Sequence, residues 1–136
     1  MTYKLAIKML CCALLLALSA GLAAADADEV TIVVSPNVVN LDSVGTWVTV
    51  HAEISYYDVE EFTVSLDGIP VVYIKSDARG ELVAKFNLDD VKGLLNNDDI
   101  LSKGEVDLTL DGITSDGHEK FTGTDTIKVI VSTGKR

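Results

Sequence analysis

The sequence predicts an exported all-β protein: a Greek-key sandwich of about seven short strands, behind an N-terminal signal helix. Three observations predict it. Two-residue hydrophobic alternation recurs along residues 46–55, 82–86 and 105–110. Gly, Pro, Asn and Asp clusters separate the apolar runs at short intervals, as turns do between strands. The first 25 residues have the composition of a secretory signal rather than of a folded domain.

The leader is read first. Lys4 and Lys8 form a positive start, Met9–Leu22 is apolar and uncharged, and Ala23, Ala24 and Ala25 supply small residues for cleavage. A run this short falls below the ~20 residues needed to span a hydrocarbon core. Cleavage is expected after Ala25, with Ala27 as the alternative, giving a signal peptide over 1–25 and one domain over 26–136. Cys11 and Cys12 both fall inside the apolar run, where cysteine is a small hydrophobe rather than a lipid-attachment site. The mature domain then has no cysteine, and its stability rests on core and sheet alone. The chain's 11 basic and 21 acidic residues become 9 and 21 once Lys4 and Lys8 are removed, a net charge of −12. A field of that sign excludes nucleic acid and anionic lipid surfaces as partners.

Along the domain, Glu29–Val34 is expected as the first strand, ended by a turn at Ser35-Pro36-Asn37. Gly45 opens the clearest strand, Thr46–Ser55, with Val48, Val50, Ala52 and Ile54 inward and Trp47, Thr49, His51 and Glu53 outward. Residues 61–75 read as a hairpin about Asp67-Gly68, with Phe62, Val64 and Leu66 inward; Pro70 begins its second strand, where a missing donor is tolerated. After a turn at Asp77–Gly80, Leu82, Ala84 and Phe86 face the core of the next strand. Val91, Leu94 and Leu95 then recur at helical spacing behind Asn87, Asp89 and Asp90, predicting one short helix near 88–95. Asn96–Lys103 reads as a loop and Glu105–Leu110 as a strand. Asp111-Gly112 and Asp116-Gly117 read as turns, and Asp125–Val131 as the last strand. Gly134-Lys135-Arg136 is a polar end.

Residues 33–50, Val-Val-Ser-Pro-Asn-Val-Val-Asn-Leu-Asp-Ser-Val-Gly-Thr-Trp-Val-Thr-Val, resemble the opening of an immunoglobulin-like module found in exported bacterial and archaeal proteins. The Leu82-Val83-Ala84-Lys85-Phe86 strand with the following helix, the Gly112–Gly117 segment and the closing Phe121–Ile130 strand are similar to the same module. The resemblance implies an Ig-like Greek-key sandwich and no particular activity, since such modules have largely unassigned roles. Among the shared residues, Gly45 and Gly123 are expected to permit tight backbone before strands. Asn40 and Asp42 are expected to bond turn backbone, and Trp47 to cover a sheet end or fill the core.

Chemistry-bearing patterns are sparse. No cysteine nucleophile remains after cleavage and no Gly-x-Ser-x-Gly elbow is present; His51 and His118 have no partner motif. No catalytic or cofactor-binding residue is therefore assigned, and the protein is read as a non-enzyme. Hard cations want clustered oxygen ligands. Asn96, Asp98 and Asp99 in one run, and Asp111 and Asp116 around a second, are the candidate calcium ligands, although Ile100 and Leu101 break any EF-hand pattern. Tyr56 and Tyr57, beside Asp58, Glu60 and Glu61, are the candidate binding residues, because loop tyrosines make contacts at low entropic cost. The function expected is an exported binding or structural module, secreted or periplasmic, not membrane-inserted after cleavage. It would act through loops or sheet edges on an envelope or extracellular protein or polysaccharide. A calcium-stabilised structural domain is the alternative, and a small carboxylate-dependent hydrolase a third reading.

Overall fold

The structure, a computed structural model, describes residues 27–131; Cys11, Cys12, the rest of the expected leader and the polar end lie outside the described residues. Two sheets face each other. The first contains β2 (Ile32–Ser35), β4 (Trp47–Ser55), β8 (Glu81–Asn87) and β7 (Tyr73–Ser76), in the order β2-β4-β8-β7. The second runs β1-β10-β9-β5-β6, from β1 (Asp28–Glu29), β10 (Lys120–Ile130), β9 (Glu105–Ile113), β5 (Ser65–Leu66) and β6 (Ile69–Pro70). On the β1 side, β3 (Val38–Asn40) also pairs with β10. The fold is thus an all-β sandwich with helices at one end. Among the described residues, no helix is long and apolar enough to cross a membrane.

The core fills the space between the sheets, and alternation explains its membership. Val48, Val50 and Ala52 of β4 are buried, as are Leu82, Ala84 and Phe86 of β8, and Leu108 and Leu110 of β9. Phe121, Ile127 and Val129 of β10 close it from the opposite sheet. Burying a side chain of this size is worth roughly 1.5–3 kcal/mol, which suits a domain without disulfides. α1 (Leu88–Leu95) seals one end by burying Leu88, Val91 and Leu95. Asn87 caps it, its Oδ1 accepting the backbone N–H of Asp89 at 2.8 Å and of Asp90 at 3.3 Å.

Several expectations are corrected. The first strand is not continuous: Asp28–Glu29 pairs in parallel with β10, whereas Ile32–Ser35 pairs antiparallel with β4. After Pro36 the chain returns to β10 as the unanticipated β3. The 61–75 hairpin is confined to 65–70, and β7 crosses to the other sheet. Glu61–Thr63 is a 3-10 turn that leaves Phe62 outside the core, while Val64 and Leu66 are buried as expected. The 96–103 loop holds a second helix, α2 (Asp98–Lys103), because the Asn97 side chain accepts from Asp99 and Ile100 and left-handed Gly104 ends it.

Asp111-Gly112 is not a turn but part of β9. Gly112 pairs with Phe121, and a Cβ there would lie 2.4 Å from Cζ of the ring. Gly123 stands inside β10 rather than before it; a Cβ would meet Ile32 Cγ2 and the Val30 carbonyl, each at 2.6 Å. The last strand therefore begins at Lys120, ahead of Asp125. Val83, expected outward, is buried on the outer face of its strand, between His51 and Lys75 in register.

Candidate functional site

Three loops meet at the end of the sandwich opposite the helices: 56–64 after β4, 77–80 before β8, and 114–119 between β9 and β10. Backbone hydrogen bonds tie them together. Tyr56 N–H donates to Gly80 O at 2.9 Å, Glu60 N–H to Ile113 O at 3.0 Å, and Ser115 N–H to Asp58 O at 2.8 Å. Val59 adds a bridge to Thr114. Within the first loop, 3-10 turns at Tyr56–Asp58 and Glu61–Thr63 flank Val59, which is buried and anchors the loop in the core.

This anchoring presents aromatic rings to solvent. Tyr56 packs partly against the core and meets Tyr57 edge-on, with centroids 5.1 Å apart. Tyr57 is 75% exposed and Phe62 95% exposed. Holding such side chains out of the core forfeits roughly 1.5–3 kcal/mol of possible burial each, so their exposure is informative. Beside them, Ile54, Asp58, Thr114, Asp116, Gly117 and Glu119 line an open hollow of about 320 Å³. The surrounding charge is acidic. In the 77–80 turn, the Glu81 backbone N–H, then that of Arg79, holds the Asp77 carboxyl below its ordinary value; Arg79 in turn pairs with Glu81 at 2.7 Å.

The sequence candidates divide among three places. Tyr56, Tyr57 and Asp116 come together at the loop end. Asn96, Asp98 and Asp99 lie at the helical end, where Asp98 and Asp99 occupy the first turn of α2 and Asp99 pairs with Lys103 at 3.3 Å. Asp111 points outward from β9, opposite Thr122 and Ser65. Among the described residues, no three His, Cys, Asp or Glu side chains are grouped to hold a metal ion. His51 is exposed on β4 and His118 sits in the 114–119 loop at φ 50°. Phe62 is the member of the aromatic group that alternation assigned to the core; only its place next to Glu60-Glu61 hinted at exposure.

Sheet edges were the other expected route to a partner, and side-chain carboxylates occupy backbone donors on both open edges of the first sheet. On β2, Val34 N–H donates to Asp125 Oδ2 at 2.8 Å; on β7, Ile74 N–H donates to Glu61 Oε2 at 3.4 Å. An added strand would have to displace them.

No family model matches the chain, and neither a curated protein nor a solved structure matches it.

Proposed function

We propose that this is an exported, non-enzymatic binding module of Ig-like Greek-key architecture, which engages a protein of the envelope or extracellular space through its loop end. The strand order supports the architecture. Sheets β2-β4-β8-β7 and β10-β9-β5 correspond to the ABED and CFG sheets of the immunoglobulin plan. The chain departs from antibody domains in lacking the inter-sheet disulfide, since both of its cysteines lie in the expected leader.

The observation that carries the binding reading is the exposure of Tyr57 and Phe62 on turns whose backbone is hydrogen-bonded to two neighbouring loops. Aromatic anchors dominate the energy of protein interfaces, and the acidic surround favours a partner with basic residues about an apolar centre. The carboxylate-blocked edges favour the loops over strand addition. Export rests on the composition of residues 1–25.

A photoreactive phenylalanine analogue at position 62, expressed in the native host, tests the reading. One discrete cross-linked protein is expected, reduced strongly by Tyr57→Ser and absent when the analogue replaces Thr124 on the opposite sheet. Equal labelling from positions 62 and 124 defeats it.

A further inference from the structure

The outer face of the first sheet differs from the rest of this acidic molecule. Strand register places ten outward side chains in three rows: Val33, His51, Val83 and Lys75; Ser35, Thr49, Lys85 and Tyr73; then Trp47 and Asn87. None is acidic. Two are lysines, and Ser35, Thr49, Asn87 and Tyr73 add hydroxyl or amide groups. The corresponding outward positions of the second sheet are Glu105, Asp107, Thr109, Asp111 and Ile113 on β9, and Lys120, Thr122, Thr124, Thr126 and Lys128 on β10, three acids against two lysines.

Of the two places expected for Trp47, a sheet end or the core, the structure excludes the core. Trp47 stands on this outer face, 38% exposed, edge-on to Tyr73 at 37%, with centroids 5.5 Å apart and planes at 89°. The pair reaches across β8 between Asn87 and Lys85 and forms an aromatic corner. Lys85 is held in place by its Nζ donating to Thr49 Oγ1 at 2.8 Å. Acids stand at the rim of this face: Glu53 and Glu81 lie beyond the His51 row with Glu81 paired to Arg79, Asp77 is near His51, and Glu61 and Asp125 hold the Ile74 and Val34 N–H groups on the two edges.

From this arrangement we infer a second binding surface, for a carboxylate-bearing polysaccharide such as a uronic-acid polymer. A pyranose ring offers an apolar C–H face to an aromatic ring and hydroxyls at its rim; the corner and its polar neighbours match both. Carboxylates at sugar spacing meet Lys75 and Lys85 through charge-assisted hydrogen bonds. Distant acids act weakly here, because fields fall off within about 8 Å at physiological salt, and the rim carboxylates of Glu61, Asp77 and Asp125 are engaged by backbone N–H groups. This surface is separate from the loop end and stands or falls independently of it.

Trp47 is the chain's one tryptophan, so its emission reports the site directly. Titration of the mature protein with polygalacturonate at physiological ionic strength should shift that emission saturably. Dextran and polyglutamate should leave it unchanged. The pair Lys75→Gln/Lys85→Gln should weaken binding at least about tenfold, a local charge effect, with an unchanged melting midpoint. Tyr73→Ser should also weaken it, and Phe62→Ser should not. The inference is overturned by an absent response to polygalacturonate, by an equal response to dextran or polyglutamate, or by binding that survives loss of both lysines. It is also overturned if emission changes with protein concentration alone, which would assign the face to self-association.

Discussion

Replacing Gly112 by alanine should destabilise the domain even though it improves the local strand. Gly in a strand interior costs roughly 0.5–1 kcal/mol relative to Ala, so propensity alone favours the substitution. The structure reverses the sign. The new Cβ would lie 2.4 Å from Cζ and 2.6 Å from Cε2 of Phe121, whose ring is buried against the core. Neither β9 nor β10 can withdraw, because their pairing is continuous from Lys120–Ile113 to Lys128–Glu105. Overpacking of this kind costs about 1–3 kcal/mol, leaving a net loss of about 1–2 kcal/mol, which lowers the melting midpoint by roughly 5–15 °C. Chemical and thermal denaturation of Gly112→Ala, Phe121→Leu and the double variant would measure it. The double variant should lose about 1 kcal/mol less than the sum of the single losses, because Leu vacates the space the methyl needs. A Gly112→Ala protein as stable as the parent, or strictly additive losses, would refute the steric account.

Three further outcomes follow from other contacts. Asp67, at φ 48° before Gly68 at φ 86°, has its carboxyl pushed up by burial, against the Thr109 backbone N–H, with Asp111 adding repulsion. Its ionised form is thus disfavoured in the folded state, and stability falls as pH rises from the unfolded carboxylate pKa through the raised folded one. Asp67→Asn should therefore gain about 0.5 kcal/mol at neutral pH, a figure reduced by solvent screening at this exposed turn, and nothing below the carboxylate range, as melting across pH will show. Asp125→Ala should lose about 1–2 kcal/mol by orphaning the Val34 N–H and increase self-association in light scattering, whereas Asp125→Asn keeps an acceptor and recovers part of the loss. Asn87→Ala and Asn97→Ala should each cost about 1 kcal/mol. Hydrogen exchange should show global weakening for the first, since α1 buries three core residues, and local fraying of α2 for the second.

Two Asp-Gly pairs show what was legible in the sequence. Asp67-Gly68 is the hairpin turn it resembles, with both residues at positive φ. Asp111-Gly112 carries the same signal yet lies within a strand, because the glycine serves a ring nine residues later rather than a bend. Local chemistry decides the first; a tertiary contact decides the second. Alternation located β4, β8 and the start of β9, where one face is buried and the other wet. It failed at Phe62, which keeps the two-residue period with Val64 although hydrogen bonds from Glu60 to Ile113 and from Thr63 to Glu60 take the chain out of strand geometry. Asn87 announced α1 because an apolar helical pattern followed it. Asn97 caps α2 equally well, but its residues are only half-buried or exposed, so no such pattern marks the helix. At the candidate site, the Tyr56-Tyr57 pair was visible as neighbours. The gathering of three loops was not, since it depends on bonds between residues 24 to 57 apart. The Trp47–Tyr73 corner was hidden for the same reason: its rings lie on strands separated by a third.

The parallel pairing of β3 with β10 also sets how the domain bears load. Val38, Val39 and Asn40 lie beside Lys128, Val129 and Ile130, with both strands running the same way. Tension applied between the two ends of the described chain would therefore act along these strands, in opposite senses on each. The cross-strand hydrogen bonds would be sheared together rather than peeled singly, and β1 with Phe121 and Thr122 adds a second stretch in the same geometry. A domain joined this way resists extension most strongly along the seam between β10 and its two parallel partners, β1 and β3.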